Sequence, residues 1–306
     1  MTTVFIDGSA GTTGLRIYER LADRKDLSLL ILPDEIRKDP AARADALNRA
    51  DVAFLCLPDP AAVEAVGMVQ NPNTAIIDTS TAHRTAEGWT YGFPELIGYE
   101  KIAASKRIAN PGCHASGFIS LVYPLVKAGL LPADAALTCF SLTGYSGGGK
   151  KMIAEYEAPD CPALYGAPRQ YGITQKHKHL PEMSVVCGLT TAPVFCPIVA
   201  DFYSGMEVTV PLFGKDCKGT MADVAAVYAE TYKTGLVHFE AQADEGGFLS
   251  ASALAGRDDM QITVCGSDER MLLVSRFDNL GKGASGAAIQ NMNILLGLDE
   301  KTGLVF

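Results

Sequence analysis

The segment Asn110-Pro111-Gly112-Cys113-His114 stands shortly before an apolar run, Phe118 to Val126, whose periodicity predicts a helix. Cys113 would then lie at the start of this helix, where backbone N–H groups and the helix dipole favour thiolate over thiol. Proline and glycine fix the turn before it, and the small residues that follow leave the sulfur accessible. Cys113 is therefore a candidate nucleophile, whereas a cysteine without such a setting is usually a buried packing residue.

A thiol nucleophile needs a nearby group that accepts its proton and returns a proton later in the reaction. Residues 175–182 read Gln-Lys-His-Lys-His-Leu-Pro-Glu and hold two of the five histidines. Histidine titrates near neutral pH, so it can accept a thiol proton and later exchange a proton with an oxygen. His177 and His179 would lie on one side of an extended segment, and we favour His177 as the partner of Cys113. A metal-binding pair and a solvated basic loop are the alternatives for this segment.

A glycine-rich turn near the N-terminus predicts dinucleotide binding. It reads Gly8-Ser9-Ala10-Gly11-Thr12-Thr13-Gly14, between an apolar run and residues at helical spacing. Backbone N–H groups of such a turn can approach a pyrophosphate at the helix N-terminus, although the spacing is GxxGxxG rather than GxGxxG. After the second predicted strand, residues 34–38 offer both acidic and basic side chains. From the residues alone, NAD and NADP therefore both remain open.

A second glycine-rich loop, residues 144–151, follows a predicted strand over 136–141 and ends in two lysines. Consecutive backbone N–H groups beside a lysine can form a binding nest for an anion. A flexible hairpin is the alternative. Together with a thiol nucleophile and a dinucleotide turn, the loop favours binding of a phosphate or a carboxylate.

Composition restricts the class of protein. The chain has 306 residues, which exceeds the length at which one hydrophobic core usually stops growing, so we expect two domains. A net charge of −9 argues against nucleic acid or a membrane surface as partner and favours a small molecule. The eight cysteines contain no Cys-x-x-Cys pair, which predicts reduced thiols rather than disulfides or a zinc site. With no secretory signal and no long apolar stretch, the predicted location is cytoplasmic.

The order of elements predicts the fold class. The first half alternates short apolar strands with helices, which requires a parallel sheet covered on both faces. The second half contains extended patterns and a helix over 222–232, and a final helix over 284–296 is expected to return to the first domain. The extended patterns cover 185–189, 206–212, 261–265 and 271–277. We predict a Rossmann-like, doubly wound parallel sheet over 1–112 with 282–306, and an α+β domain with a largely antiparallel sheet over 113–281.

The motifs together resemble those of the N-acetyl-gamma-glutamyl-phosphate reductases in their compact form, within the semialdehyde dehydrogenase superfamily. They are GSAGTTG at 8–14, DTSTAHR at 78–84, YGFPEL at 91–96, NPGCHASG at 110–117, HKHLPE at 177–182 and DNLGKGASGAAIQNMN at 278–293. The resemblance spans nearly the whole chain, and aspartate-semialdehyde dehydrogenases share the NPGC segment. It implies an NADPH-dependent oxidoreductase of arginine biosynthesis that releases phosphate from an acyl phosphate through a Cys113 thioester. Separately, the antiparallel sheet of the second domain offers a surface for a homo-oligomer, either a dimer or a tetramer.

The resemblance also implies roles for particular residues. Cys113, His177 and His179 would be catalytic, and no metal site is expected. Outside the turn over 8–14, the residues expected to bind the cofactor are Ser80, Asn279, Lys282 and Gly283. The residues expected to bind substrate are Arg84, Asn110, Ser146, Gly147, Lys150 and Glu182. Another acyl-phosphate reductase, such as an aspartate-semialdehyde dehydrogenase, a non-catalytic dinucleotide-binding regulator and a cysteine hydrolase are the competing functions.

Overall fold

The computed structural model describes residues 1–306, which divide into two units. The N-terminal unit consists of Met1–Pro111 and Ala284–Leu304. The central unit consists of Gly112–Gly283 and Val305–Phe306. None of the helices is both long enough and apolar enough to cross a membrane.

The N-terminal unit holds one parallel sheet of six strands, in the order β2-β1-β3-β4-β6-β5. The strands are β1 (Thr2–Asp7), β2 (Leu27–Leu30), β3 (Val52–Leu55), β4 (Ala75–Asp78), β5 (Thr90–Tyr91) and β6 (Arg107–Ala109). The helices are α1 (Thr12–Leu21), α2 (Pro40–Arg49), α3 (Asp59–Met68), α4 (Pro94–Ile97), α5 (Tyr99–Ala104) and α10 (Gly286–Leu295). Helix α10, the last of the chain, belongs to this unit.

Side-chain alternation along β1 explains why helices cover both faces of this sheet. Val4 and Ile6 point to one face and share a buried apolar cluster with α1 and α10. Phe5 points to the other face, into a second cluster with α2 and α3. Alanines at the second face, among them Ala46 and Ala62, let these helices approach the strands closely. Such two-sided burial is what turns short apolar strands into a parallel sheet.

The central unit holds a mixed sheet of seven strands, in the order β11-β12-β13-β10-β7-β9-β8. The strands are β7 (Thr138–Gly144), β8 (Arg169–Gln170), β9 (Val194–Ala200), β10 (Met206–Phe213), β11 (Val237–Phe239), β12 (Met260–Ser267) and β13 (Arg270–Phe277). The helices are α6 (Cys113–Lys127), α7 (Gly149–Tyr156), α8 (Leu180–Cys187) and α9 (Met221–Thr231). The pairs β7–β9 and β11–β12 are parallel and the remaining pairs are antiparallel, so the predicted fold class is confirmed.

Helix α6 contains a proline, Pro124, and a tyrosine just after α9 supplies the hydrogen bond that this proline cannot donate. Proline has no N–H, so it cannot donate to the carbonyl of Ser120 four residues earlier. The hydroxyl of Tyr232, just after α9, donates to Ser120 O at 2.5 Å, and Tyr228 Oη donates to Leu121 O at 2.8 Å. These bonds satisfy buried carbonyl oxygens and attach α6 to α9.

One predicted element is wrong. Residues 185–189 were expected to be extended, because paired valines favour strands, but Leu180–Cys187 forms helix α8. Pro181 and Glu182 occupy its first turn, and Gly188 ends it in the left-handed conformation at φ +70°. These are ordinary start and stop signals of a helix, and here they outweigh the strand propensity of the valines.

Candidate active site

Cys113 is the first residue of α6, as its sequence setting predicts, and its side chain is partly exposed. The residue before it, Gly112, caps the helix without a side-chain bond, and its N–H donates to Glu182 Oε1 at 2.9 Å. Glu182 is 2% exposed, so a buried carboxyl group of α8 fixes the backbone on which the thiol stands. Gly283 lies against the thiol residue, since a Cβ at Gly283 would be 3.0 Å from that of Cys113. Lys282, beside it, is buried.

Histidine rings gather around the residue next to Cys113. The His114 ring centroid lies 5.7 Å from that of His177 and 5.7 Å from that of His179. The His177 and His179 rings are 4.8 Å apart, and Phe195 contacts His114 and His177. The two loop histidines therefore do come together, although a turn into α8 rather than an extended segment places them.

One hydrogen bond determines where the neutral His177 ring carries its proton. Its Nδ1 accepts from the backbone N–H of His179 at 3.2 Å, so Nδ1 is unprotonated and the ring proton is on Nε2. Burial, followed by the nearby charge of Lys178, lowers the pKa of His177. His177 is thus a neutral ring with a donor at Nε2 near pH 7.

His114 is more deeply buried, with both ring nitrogens bonded. Nδ1 lies 2.6 Å from Ser141 Oγ, and Nε2 lies 2.6 Å from Tyr171 Oη. Burial, with a smaller contribution from His177, lowers the pKa of His114 to about 3. The ring is therefore neutral during any reaction near pH 7.

The loop after β7 is helical rather than a flexible hairpin, with a 3₁₀ turn over Tyr145–Gly148 leading into α7. Ser146 is buried, and its Oγ accepts from Asn279 Nδ2 at 3.0 Å. The Asn279 amide oxygen accepts from Gly205 N at 2.9 Å, so this side chain holds two loops together. Gly147 packs beside them, because its Cβ position is 3.2 Å from Thr143 Oγ1. Lys150 is exposed in the first turn of α7.

In the N-terminal unit, the predicted turn over residues 8–14 joins β1 to α1. Gly8 has φ +88°, and a Cβ there would be 2.3 Å from Cys56 O. A Cβ at Gly14 would be 2.4 Å from Gly8 O. Gly11 caps α1 without any side-chain hydrogen bond to the first turn. Only glycine fits at Gly8 and Gly14, and the arrangement suits a bound pyrophosphate.

A cavity beside this turn is lined by basic residues. It is bounded by Phe5, Ile6, Asp7, Gly8, Ser9, Leu32, Arg37, Lys38, Arg43, Leu57 and Ala61. Arg43 is already occupied, because its guanidinium pairs with Asp7 at 2.9 Å and with Glu64 at 3.3 Å. Arg37 and Lys38 are therefore the cations that a ligand in this cavity would meet.

A buried carboxylate organises the loop after β4. Asp78 accepts from Ser80 N at 2.9 Å, from Ser80 Oγ at 2.7 Å and from His83 Nδ1 at 2.6 Å. The His83 ring stacks on Trp89 at 4.1 Å between centroids. The predicted cofactor residue Ser80 is thus fixed by Asp78, at the carboxyl end of a parallel strand, where open α/β sheets bind ligands.

Arg84 and Asn110 are adjacent in the same unit. Arg84 Nε donates to Asn110 O at 3.0 Å, and Arg84 Nη2 donates to Thr79 O at 3.0 Å. The Asn110 amide donates to Ala284 O at 3.0 Å. Backbone oxygens therefore hold the guanidinium of a buried arginine in place, and two of the predicted substrate residues come together.

Four of these groups were given no role from the sequence: Tyr171, Ser141, His114 and Asp7. Tyr171 and Ser141 carry no motif of their own. The role of Asp7 could have been found from the sequence, because a charged residue directly after the apolar run over 4–6 must be either solvated or paired with an opposite charge. No group of three or more His, Cys, Asp or Glu side chains in the chain is arranged to hold a metal ion.

Comparison with known proteins identifies the family of each region. Residues 3–105 match the NAD binding domain of semialdehyde dehydrogenase, and residues 113–279 match the dimerisation domain of semialdehyde dehydrogenase. N-acetyl-gamma-glutamyl-phosphate reductase 2 of Pseudomonas putida is 45% identical over 98% of this chain and 98% of the relative. The Brucella ovis N-acetyl-gamma-glutamyl-phosphate reductase is 46% identical over 96% of this chain and 98% of its own.

Solved structures agree on the fold. Aspartate semialdehyde dehydrogenase II of Vibrio cholerae superposes with a TM-score of 0.73 at 16% identity, over 97% of this chain and 98% of that chain. The aspartate semialdehyde dehydrogenase of Francisella tularensis gives 0.72 at 14% identity, over 97% of this chain and 100% of that chain. The chain therefore belongs to the N-acetyl-gamma-glutamyl-phosphate reductases, a branch of the semialdehyde dehydrogenase family.

Proposed function

We propose that this protein reduces N-acetyl-L-glutamyl 5-phosphate to N-acetyl-L-glutamate 5-semialdehyde with NADPH, releasing phosphate, as a step of arginine biosynthesis. The observation that carries the proposal is Cys113 at the first position of α6, beside a cluster of histidine rings. The names of relatives at about 45% identity supply the substrate.

The chemistry follows from the thiol. The Cys113 sulfur attacks the acyl phosphate, and the C–O bond to phosphate breaks to leave a thioester on Sγ. A bound nicotinamide dinucleotide supplies the hydride that this thioester accepts. The resulting thiohemiacetal collapses, the aldehyde leaves, and Cys113 is regenerated. Because a thiolate is both nucleophile and leaving group, one difficult acyl reduction becomes a series of easier steps.

The geometry of the two loop histidines divides their roles. His177 Nδ1 accepts a backbone hydrogen bond, so its ring offers a donor at Nε2 and no lone pair on that nitrogen. We therefore assign proton acceptance and return to His179, and to His177 a fixed donation to the acyl or phosphate oxygen. This assignment makes His179, rather than the His177 favoured from the sequence, the group that accepts the proton of Cys113.

Anion recognition is assigned to the residues that the sequence singled out. Arg84, held by backbone oxygens at Asn110 and Thr79, offers a fixed guanidinium to the phosphate or a carboxylate. Lys150 is exposed and adds a point charge near the loop of Ser146 and Gly147. Glu182 acts through Gly112, as a positioning residue for Cys113.

The basic cavity beside Gly8 and Ser9 supports NADPH over NADH. Arg37 and Lys38 line it, whereas Asp34 lines a second cavity beside Ser9 and Ala10 of the same turn. Arg37 pairs with Asp34 at 3.0 Å, but the Asp34 side chain is 88% exposed, so a ligand phosphate can replace it at little cost. Cations beside the ribose accommodate the additional phosphate of NADP. Ser80, Asn279, Lys282 and Gly283 remain our proposed contacts to other parts of the cofactor.

The outer face of the central sheet supports assembly into homo-oligomers. Phe140, Phe213 and Leu272 project from it with exposures of 44%, 59% and 44%, and they border one apolar cavity. Its inner face packs on α6 through residues such as Val208. An exposed apolar patch of this kind marks an interaction surface, and the matching domain is described as a dimerisation domain. None of the eight cysteines forms a disulfide, which fits a reducing cytoplasm.

The reverse reaction tests the function. Purified protein is given NADP, phosphate and N-acetyl-L-glutamate 5-semialdehyde, and the absorbance of NADPH is followed, with aspartate semialdehyde as competing substrate. We expect phosphate-dependent turnover and a preference for the acetylated aldehyde. Preference for aspartate semialdehyde would assign the competing dehydrogenase, and turnover without phosphate would exclude an acyl-phosphate product.

A serine variant tests the nucleophile. Cys113→Ser should lower kcat by about a thousandfold or more, while calorimetric binding of NADPH persists. Cys161→Ser, at another partly exposed thiol, is the matched control and should keep full activity. An active Cys113→Ser enzyme would refute the thioester mechanism, and binding without any turnover in the wild type would indicate a regulator.

A further inference from the structure

We infer that Asp278 is a positioning residue for the proposed reaction, because its buried carboxylate holds the short π-helix Gly281–Ser285 against Cys113. The inference rests on the proposed function, since it takes Cys113 as the nucleophile and the start of this helix as part of the cofactor site. Asp278 acts only through the backbone groups and the one hydroxyl that it bonds.

The Asp278 side chain is fully buried directly after β13, and both of its oxygens accept two hydrogen bonds. Oδ2 accepts from Ser204 Oγ at 2.9 Å and from Gly256 N at 2.5 Å. Oδ1 accepts from Leu280 N at 2.7 Å and from Gly281 N at 3.3 Å. The carboxylate therefore joins two separate loops to the start of the π-helix. Without it, buried N–H groups would lack an acceptor, which is costly.

The main chain of Asp278 adds two further bonds to the same helix. Its carbonyl oxygen accepts from Gly281 N at 3.1 Å and from Gly283 N at 3.0 Å. The bond from Gly283 spans five residues, which is the pattern of a π-helix, and such turns are rare and frequently lie at functional sites. Asp278 thus fixes the start of the helix through Oδ1 and its first π-type hydrogen bond through its carbonyl.

The start of the π-helix packs directly on the thiol residue, because Gly283 has no side chain. A Cβ at Gly283 would be 3.0 Å from Cys113 Cβ and 3.1 Å from Asp278 O. Gly281 is enclosed as tightly, since a Cβ there would overlap the carbonyl oxygen of Arg257. A displacement of this segment therefore changes the distance between Gly283 and Cys113 directly.

This distance matters for hydride transfer, which needs the acyl group and the cofactor in one fixed geometry. Lys282 and Gly283 are our proposed contacts to the cofactor, and Cys113 would carry the acyl group. A misplacement of about 1 Å can lower the rate of a reaction by about a hundredfold. The glycine turn over 8–14 would still hold the cofactor without Asp278. Loss of the carboxylate should therefore lower kcat more than it weakens cofactor binding.

Asp278→Ala tests this expectation in the reverse reaction with N-acetyl-L-glutamate 5-semialdehyde. The variant should lower kcat by about tenfold to a hundredfold, while the Kd of NADPH, measured by calorimetry, rises by a smaller factor. Ser204→Ala is the matched control, since it removes one bond to Oδ2 and leaves both bonds to Oδ1, and it should keep the wild-type kcat. An unchanged kcat in Asp278→Ala, an equal loss in Ser204→Ala, or a Kd that rises as much as kcat falls would overturn the inference.

Asp278→Asn separates hydrogen bonding from charge. Its amide oxygen can replace Oδ1 and accept from Leu280 and Gly281, while its NH2 group donates to Ser204 Oγ. Only the bond from Gly256 is then lost. This variant should recover most of the kcat that Asp278→Ala loses. An asparagine variant as slow as the alanine variant would attribute the effect to the charge and would contradict the inference.

Hydrogen exchange followed by mass spectrometry gives a readout that does not depend on activity. In the wild-type protein without cofactor, the peptide over 278–285 should exchange slowly, because the N–H groups of Leu280, Gly281 and Gly283 are bonded to Asp278. Asp278→Ala should accelerate this exchange, and Ser204→Ala should not. Fast exchange in the wild type would refute the inference even if Asp278→Ala does not fold. The proposed function would survive that result, because it depends on Cys113→Ser.

Discussion

Replacement of Arg43 by methionine tests the physical basis of the glycine turn. Arg43 and Asp7 are 7% and 3% exposed, and two guanidinium nitrogens, Nε and Nη2, donate to Asp7 Oδ2 at 3.0 and 2.9 Å. Asp7 is the last residue of β1, directly before Gly8. The ion pair therefore fixes the strand end from which the glycine turn begins. Methionine keeps most of the apolar stem of arginine and removes only the charge and its donors.

The expected loss of stability is large for a single substitution. Breaking a buried ion pair by removing one partner costs about 3–5 kcal/mol, because the other charge remains buried and unpaired. For domains of this size about 2–4 °C of Tm corresponds to each kcal/mol, so the melting temperature should fall by about 6 °C or more. Arg49→Met, in an exposed pair with Asp45 on the same helix, is the control and should change stability by less than about 1 kcal/mol.

The loss should also depend on pH, with a definite sign. Burial raises the pKa of Asp7, although the hydrogen bonds and charge of Arg43 oppose this. A carboxyl group whose folded pKa is raised binds its proton more tightly in the folded state, so stability decreases as pH rises through this pKa. Without Arg43 the pKa of Asp7 rises further, and the deficit relative to wild type should be smaller at about pH 5 than at about pH 8.

Thermal and urea unfolding at the two pH values measures both effects, with calorimetric binding of NADPH as a second readout. The double variant Asp7→Asn with Arg43→Met should recover part of the loss, because no charge then remains buried. A loss below about 1 kcal/mol, or an equal deficit at both pH values, would refute the argument that this pair is what keeps Asp7 buried.

Three further predictions concern other surfaces of the chain. Replacing Arg37 and Lys38 together by alanine should weaken NADPH binding by about tenfold or more and leave NADH binding unchanged, as measured by calorimetry; equal loss for both would exclude a role in phosphate recognition. Phe140→Asp should shift the protein to a smaller species in size-exclusion chromatography with light scattering, and an unchanged mass would exclude this face as the interface. Gly14→Ala places a methyl group 2.4 Å from a backbone oxygen and should weaken NADPH binding and lower Tm, whereas Gly67→Ala, with nothing within 4 Å, should do neither.

Local signals were sufficient for much of the fold and for the position of the thiol. Short apolar strands that alternate with helices require a parallel sheet, and a turn before an apolar helical run places Cys113 at a helix start. Each of these features depends on neighbours within a few residues. The exception is α8, where the start signal at Pro181 and the stop signal at Gly188 outweigh the strand propensity of the valines.

The chemistry of the site depended on contacts between distant residues, which sequence spacing does not encode. Ser141 and Tyr171 are 27 and 57 residues from His114, yet their hydroxyls lie within hydrogen-bond distance of its two ring nitrogens. Arg43 is 36 residues from Asp7, and their pairing leaves Arg37 and Lys38 as the available cations of the cofactor cavity. The sequence by itself therefore determined which residues could react. The tertiary structure decided which proton each one holds, because protonation depends on burial and on the partners that folding supplies.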